Sequence, residues 1–344
     1  MIKSISLINF RNHENLNLQF STKFIYINGK NGSGKTSILE AINYIATTKS
    51  HRTNNDLEVI KRGEAFSRIV VKTTKNNYQL VISEKGKVAS LNAKEVRKLS
   101  DFISRLKVVL FAPEDLNLIK GSPGVRRSFV DMELTKIKKS YLNNLTEYRN
   151  ILKQRNALLK NLKIGDDLTF LNILGNQLYE TAVKIIDQRS EFINKLNLET
   201  NGVYKDLNKN DLLIKYEPSA TKEQLKKHLS QNQKQDIIYE TTVLGPHRDD
   251  FIITVNNINA NNCSQGEIRL IVIALKMGLL KVITNETNDD VILLLDDVLS
   301  ELDSNKQKLI LDKLPKDVQI ILNSAIKIKS DKIEIITLGD KKYE

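Results

Sequence analysis

Residues 29–36 read GKNGSGKT, which matches the phosphate-binding loop pattern G-x-x-x-x-G-K-[ST] and decides the fold of this chain. The loop follows residues 24–27, an apolar run typical of a buried strand, and precedes residues 37–42, whose apolar spacing predicts an amphipathic helix. Glycines let the backbone N–H groups turn inward around a polyphosphate, and the helix start adds its positive end. The alternative, a glycine-rich turn that only caps a helix, is disfavoured because the flanking strand and helix are both present.

This motif predicts how ATP and Mg²⁺ would be held. The ammonium group of Lys35 would neutralise the β- and γ-phosphates, and the hydroxyl of Thr36 would ligate Mg²⁺. The backbone around the phosphates would come from the whole loop, namely Gly29, Lys30, Asn31, Gly32, Ser33, Gly34, Lys35 and Thr36.

A second group of polar residues follows an apolar run near the other end of the chain. Residues 291–295 are uniformly apolar, as expected of a central strand in a parallel sheet. This strand delivers Asp296 and Asp297 at its carboxyl end, where α/β sheets place their ligand sites. We expect Asp296 to hold Mg²⁺ through water and Asp297 to polarise the attacking water. An acidic turn between a strand and a helix would explain the pair equally well if the phosphate-binding loop were missing.

The sequence Ser264-Gln265-Gly266-Glu267 opens another helix, predicted from Ile268 to about Val282. Ser264 and Glu267 form an S-x-x-E capping box, which is a common way to satisfy the first N–H groups of a helix. The same helix start would also attract an anion, so Ser264 could meet the γ-phosphate held by a second protomer. The two interpretations are compatible.

The order of these motifs resembles the ABC-type ATPases of the structural-maintenance-of-chromosomes (SMC) group and, within it, the RecF family of bacterial recombinational repair. The resemblance extends over nearly the whole chain. Besides the motifs above, it is carried by residues 7–12 (LINFRN), 49–52 (KSHR), 111–116 (FAPEDL), 126–131 (RRSFVD), 245–250 (GPHRDD) and 295–303 (LDDVLSELD).

The resemblance implies an α/β fold: an ABC-type P-loop ATPase head with an inserted, mainly helical arm domain. It also implies that Arg11, Asn12 and Asp303 contact nucleotide, together with Ser264, Gln265 and Gly266 of the signature loop. The chain departs from the family pattern at Asn323-Ser324, where threonines are usual, and by position Glu114 is the nearest candidate for a glutamine-loop residue.

Composition is consistent with a DNA-binding protein of the cytoplasm. The net charge of +12, from 53 basic and 41 acidic residues, suits an anionic polymer, although part of the excess could be ordinary surface lysine. One cysteine excludes a disulfide framework and suits a reducing compartment. No apolar run approaches the ~18 residues of a membrane span, and the first residues look like a strand rather than a signal peptide.

The middle of the chain predicts an antiparallel helical hairpin with arms of ~30 Å, at 1.5 Å per residue. Helical spacing of apolar residues runs from about 134 to 196, interrupted at 163–167, where Asp167 is a candidate N-cap. We therefore expect an ATPase head at 1–130 and 241–344 and an inserted arm at 131–240. The first arm helix carries basic residues that could clamp DNA or simply form a solvated face: Lys136, Lys138, Lys139, Arg149, Lys153, Arg155 and Lys160.

The resemblance implies a mechanism in which ATP joins two protomers into a homodimer around double-stranded DNA or a junction of single and double strands, and slow hydrolysis releases it. It further implies RecR and RecO as partners, recombinase loading at single-strand gaps, and no membrane partner. Two alternatives stay open at this point. One is a non-catalytic DNA scaffold that uses ATP as a structural ligand, and the other is the ATPase subunit of an ABC transporter.

Overall fold

The computed structural model describes residues 1–103, 105–287, 289–299, 302–324 and 333–339. Its strands are β1 (Ile2–Phe10), β2 (His13–Gln19), β3 (Phe24–Asn28), β4 (Phe66–Thr73), β5 (Asn77–Ser83), β6 (Gly86–Leu91), β7 (Lys94–Glu95), β8 (Lys107–Phe111), β9 (Leu212–Glu217), β10 (Asp250–Val255), β11 (Ile258–Asn259), β12 (Val291–Asp296), β13 (Gln319–Asn323) and β14 (Glu334–Thr337). Its helices are α1 (Lys35–Thr47), α2 (Leu99–Phe102), α3 (Asn117–Lys120), α4 (Pro123–Ile137), α5 (Lys139–Leu159), α6 (Thr169–Asn208), α7 (Lys222–Gln231), α8 (Lys234–Ile238), α9 (Gln265–Thr287) and α10 (Ser304–Lys313).

The chain folds as two compact units, which alternate along the sequence. The first contains Met1–Leu116, Gly202–Lys209 and Ser264–Glu344, and the second contains Asn117–Asn201 and Asn210–Cys263. The chain thus leaves the first unit after Leu116 and returns to it for good at Ser264. The functional division into head and arm at residues 130 and 240 stays a prediction.

The first unit holds a parallel sheet with the order β14-β3-β13-β12-β8 among the described strands. Every residue of β12 is buried, which agrees with the uninterrupted apolar run that predicted a central strand. Because β3, β13 and β12 are neighbours and run in parallel, their carboxyl ends meet at one edge of the sheet. This edge brings the loop after β3 close to Asp296 and Asp297.

A second sheet of the first unit is antiparallel, with the described order β2-β1-β4-β5-β6-β7. Helix α1 contacts both sheets, and the apolar side chains of α1 join those of both sheets in one core. The sequence predicts the opening strand but not the alternating residues of β4–β6. Only one side of each of those strands is apolar, so their pattern is weaker than that of a fully buried strand.

The second unit contains the predicted helical hairpin. Lys138 pairs with Glu191, Asn144 with Gln188, and Leu159 shares a small core with Leu171. Residues later in α5 therefore contact residues earlier in α6. This confirms the antiparallel arrangement. The second helix is longer than expected, because its 40 residues correspond to ~60 Å rather than ~30 Å. The carboxylate of Asp167 accepts the N–H of Thr169, the first residue of α6, at 2.9 Å.

Candidate nucleotide-binding site

The phosphate-binding loop joins β3 to α1, as its motif predicts. Gly32 and Gly34 have φ angles of 82° and 91°, in the left-handed region that glycine adopts without strain. A side chain at Gly34 would also collide with the ring of His13. Glycine is therefore required at position 34 both by the turn and by the residue that packs against it.

The loop is braced by the turn between β1 and β2. The side chain of Asn12 donates a hydrogen bond to the carbonyl of Gly32 at 3.1 Å and accepts one from Ser37 at 3.4 Å. The ring nitrogen Nε2 of His13 lies 3.2 Å from the carbonyl oxygen of Gly34. The predicted nucleotide residue Asn12 thus lies against the loop. His13 lies there too, although no sequence pattern singled it out. Its position next to Asn12 was the only available signal.

The ammonium group of Lys35 lies across the loop. It donates to the carbonyl oxygens of Gly29 at 2.6 Å and Lys30 at 3.0 Å. The lysine is consequently held over the backbone that would surround phosphate oxygens. To bind an anion, the ammonium group would have to give up only these two hydrogen bonds to neutral carbonyls.

Thr36 and Asp296 meet at the edge of the parallel sheet. The hydroxyl of Thr36 donates to a carboxylate oxygen of Asp296 at 2.9 Å, and the side-chain amide of Asn323 donates to the same oxygen at 2.6 Å. Burial raises the pKa of Asp296, and the two hydrogen bonds offset part of that rise. A hydroxyl beside a buried carboxylate is the hard-oxygen environment that Mg²⁺ prefers, so these residues fit the predicted metal ligands.

Asp297 has a backbone conformation that is unusual for a residue with a side chain. Its φ angle is 51°, and its N–H donates to the side-chain oxygen of Asn323 at 2.7 Å and to the Asn323 carbonyl at 3.2 Å. Asn323 therefore holds both aspartates, with its amide nitrogen on Asp296 and its amide oxygen on Asp297. In the sequence, Asn323 is only a departure from the family pattern, and nothing there predicts this bridge.

Arg11 is engaged by a buried acid rather than by the loop. Its guanidinium donates to both carboxylate oxygens of Glu40, at 2.9 and 2.5 Å, and Glu40 also accepts from Ser50 at 2.5 Å. Burial alone would raise the pKa of Glu40, but the bonds from Arg11 and Ser50 outweigh it and lower the pKa. Arg11 therefore positions the first turn after β1 against α1. A direct nucleotide contact by Arg11 stays a prediction.

The remaining predicted residues lie at the starts of α9 and α10. Ser264 and Glu267 form the predicted capping box, with the Ser264 hydroxyl donating to Glu267 at 2.8 Å and the Glu267 N–H donating to Ser264 at 3.3 Å. Ser264 and Gln265 are exposed, and Gly266 follows them in the first turn. Asp303 is also exposed and caps α10 by accepting from Lys306 at 2.9 Å. The neighbouring positions Ser300 and Glu301 lie outside the described residues.

The basic residues predicted to clamp DNA on α5 and just before it are mostly occupied within the second unit. Lys136 is buried against Glu133, Lys138 pairs with Glu191, and Arg149 pairs with Asp131. Arg155 is wholly buried and pairs with Asp236 at 2.7 Å. Four of the seven cations thus form ion pairs within the protein. Lys136 and Arg155 are buried, so these two fit neither the DNA clamp nor the solvated face that the sequence left open.

A parallel sheet that places a phosphate-binding loop after β3 and an aspartate pair after β12 is the arrangement of an ABC-type P-loop ATPase head. Residues 1–334 match the family model described as the RecF/RecN/SMC N-terminal domain. The DNA replication and repair protein RecF of Acholeplasma laidlawii is 48% identical over 332 residues, which cover 95% of this chain and 94% of that protein. The chain belongs to the RecF family.

Solved structures agree with this assignment. The structure of the recombination mediator protein RecF with ATP in the RecFOR pathway has a TM-score of 0.88 and 31% identity, covering 96% of this chain and 92% of that one. An SMC head bound to the C-terminal winged-helix domain of ScpA has a TM-score of 0.56 and 15% identity, over 98% of this chain and 94% of that one, and so shares the fold. Among the described residues, no helix combines the length and apolar character needed to cross a bilayer.

Proposed function

We propose that this chain is an ATP-dependent DNA-binding protein of recombinational repair and replication restart, in which nucleotide acts as a switch. The observation that carries the proposal is the convergence of Lys35, Thr36 and Asp296 with the loop after β3, in a member of the RecF family. A relative of this family is described with ATP as a recombination mediator in the RecFOR pathway. That description supports ATP as the ligand, and RecO and RecR as partners.

The residues of the site divide the work on ATP. Lys35 would move from the carbonyls of Gly29 and Lys30 to the β- and γ-phosphates, because an anion is a stronger partner for an ammonium group than a neutral carbonyl. Mg²⁺ held by Thr36 and Asp296 would neutralise phosphate charge. Asp297, on its constrained turn, would polarise the attacking water.

Dimerisation would complete the site. Ser264 and Gln265 are exposed at the start of a 23-residue helix, where N–H groups and a hydroxyl can meet an anion carried by another protomer. Removal of the γ-phosphate by hydrolysis would break this contact and release DNA. Slow turnover would suit such a switch, because the complex must persist on DNA while partners assemble and recombinase is loaded at a gap.

A non-catalytic role for ATP has one observation in its favour. Both ends of the Asn323 amide are already bonded, to Asp296 and to the N–H of Asp297. A side chain committed in this way does not easily orient a phosphate or a water. In this alternative, ATP would hold two protomers together without being hydrolysed during the DNA-binding cycle.

The two functions are separated by DNA titrations with ATP, with ADP and without nucleotide, together with ATP hydrolysis measured with and without DNA. A switch predicts tight DNA binding with ATP only and hydrolysis that DNA stimulates. A scaffold predicts the same binding without hydrolysis. Equal DNA affinity under all three nucleotide conditions would contradict both.

A further inference from the structure

The antiparallel sheet of the first unit has one face that the nucleotide site does not use. Side chains on the inner face of β1, β4 and β5, such as Leu7, Ile69 and Leu80, join the core that includes α1. Successive residues of a strand point to opposite faces, so the alternate residues form an outer face. The register aligns Ile8 with Arg68, Arg68 with Val81, and Val81 with Val88 in one row across this face.

Acidic residues are missing from most of this outer face. Phe10 and His13, the last pair of β1 and β2, are not part of this face, because Phe10 is buried in the core and His13 packs against Gly34. The remaining described outer-face residues of β2, β1, β4, β5 and β6 are Asn15, Asn17, Gln19, Ser4, Ser6, Ile8, Phe66, Arg68, Val70, Lys72, Asn77, Gln79, Val81, Ser83, Gly86, Val88 and Ser90. The short edge strand β7 adds Glu95, opposite Ser90. Over these five strands, the listed residues present amides, hydroxyls, two cations and five apolar side chains, and none of them carries a carboxylate.

The two cations of the outer face are available. Arg68 and Lys72 are exposed, and neither forms an ion pair with a described residue. They lie on one strand, four residues apart, which corresponds to ~13 Å. That separation is well below the ~34 Å of one turn of duplex DNA, so one duplex can contact both.

Charge along the chain is concentrated in the same region. Residues 61–98, which form β4–β7 and their turns, contain ten basic and three acidic residues. Residues 131–240 contain eighteen basic and fifteen acidic residues. Some cations of both ranges form ion pairs within the protein, such as Lys61 and Lys87 in the first range and Lys138 and Arg155 in the second. The excess positive charge of the protein is thus carried by this sheet more than by the helical hairpin.

We propose that the outer face of β2, β1, β4, β5 and β6 binds the sugar–phosphate backbone of duplex DNA. Arginine, lysine, asparagine, glutamine and serine are the side chains that contact phosphates, and an acid-free face avoids repulsion of the polyanion. The polar residues outnumber the apolar ones, which favours DNA over an apolar protein partner. This inference rests on the proposed DNA-binding function and adds the surface that performs it.

The test compares two charge-reversal variants of the full chain. Arg68→Glu with Lys72→Glu changes the outer face, and Lys308→Glu with Lys316→Glu is a control that changes two exposed lysines of the same unit by the same charge. Binding of a fluorescent 30-base-pair duplex is measured with ATP over a series of salt concentrations. Circular dichroism and ATP titration establish that each variant is folded and binds nucleotide.

We expect the outer-face variant to bind the duplex at least ~10-fold more weakly, with a salt dependence shallower by about 2 for two lost phosphate contacts, and the control to stay within about twofold of the parent. If the parent binds DNA and both variants bind it with the same affinity as the parent, the outer face is not the DNA-binding surface, and the proposed function is unaffected. Retained DNA binding with lost binding of a purified partner protein assigns the face to that protein instead. A parent that binds no DNA with ATP overturns the proposed function itself.

Discussion

The hydroxyl of Thr36 lies 2.9 Å from a carboxylate oxygen of Asp296, although the two residues are 260 positions apart in the chain. One belongs to the helix after β3 and the other to the end of β12. They meet because β13 is the only described strand between those two and all three run in parallel. Asn323, at the end of β13, bonds the same carboxylate, so three segments of the chain converge on one buried group.

Lys35→Ala should abolish tight ATP binding. The phosphates would lose their main counter-charge, because the rest of the loop offers them neutral N–H and hydroxyl groups. Calorimetry of ATP binding measures this, and Lys30→Ala, an exposed neighbour in the same loop, is the matched control. Unchanged ATP affinity in the Lys35 variant would contradict the site.

Asp297→Asn should retain ATP binding and stop hydrolysis. The amide keeps the size of the side chain but cannot polarise a water as a carboxylate does. We expect ATP-dependent dimers that persist on DNA, measured by light scattering and by dissociation kinetics. Rapid phosphate release by this variant would exclude Asp297 from the role.

Asn323→Ala should lower hydrolysis much more than ATP affinity. The substitution removes the bond to Asp296 and one of the two bonds that hold the Asp297 turn, while the phosphate-binding loop is untouched. Displacement of a catalytic group by ~1 Å can cost ~100-fold in rate. Single-turnover hydrolysis at saturating ATP tests this, and an unchanged rate would show that the bridge does not position Asp297.

His51→Phe should reduce the loss of folding stability at acid pH. Neither ring nitrogen of His51 has a hydrogen-bond partner among the described residues. Burial lowers the pKa of His51 from 6.5 to about 4. The nearby charges partly offset one another, because Glu40 and Asp115 favour the protonated ring whereas Arg52 and Lys276 oppose it. Between those pH values the unfolded chain binds a proton that the folded chain does not. Stability that is present above pH 6.5 is therefore lost as the pH falls toward 4.

The size of this effect is at most about 3 kcal/mol, and less to the extent that solvent reaches the ring. Denaturant unfolding of parent and variant between pH 8 and 4.5 measures it. Above pH 7.5 the histidine is neutral in both states, so the difference between the two proteins there sets the baseline. Parallel curves over the whole range would show that His51 is not the group responsible.

Cys263 should report dimerisation. It is the residue immediately before Ser264 and is partly exposed. If the start of α9 meets the γ-phosphate of a second protomer, ATP should protect this thiol from a maleimide once dimers form, and a bulky adduct should block dimerisation while leaving ATP binding intact. Fast labelling that ATP does not alter, under conditions where dimers form, would count against the composite site.

Local patterns were sufficient for the parts of the protein that are contiguous in sequence. The strand–loop–helix unit around Lys35, the buried strand that ends at Asp296, and the capping box of Ser264 and Glu267 were all predictable, because each depends on residues within a few positions of one another. The antiparallel hairpin followed from helical spacing on either side of a short polar loop. The charged partners that these segments contact elsewhere in the chain were not predictable in the same way.

Tertiary structure alone decided which partner each polar group meets. Sequence could not show that Arg11 would bond Glu40, that Asn323 would hold both aspartates, or that Arg155 would be buried with Asp236. It also could not separate the two faces of β4, because the register with β1 and β5 determines which side chains line up with Arg68. Short-range propensity sets the elements, whereas burial and charge pairing depend on which elements become neighbours, and that is a property of the whole fold.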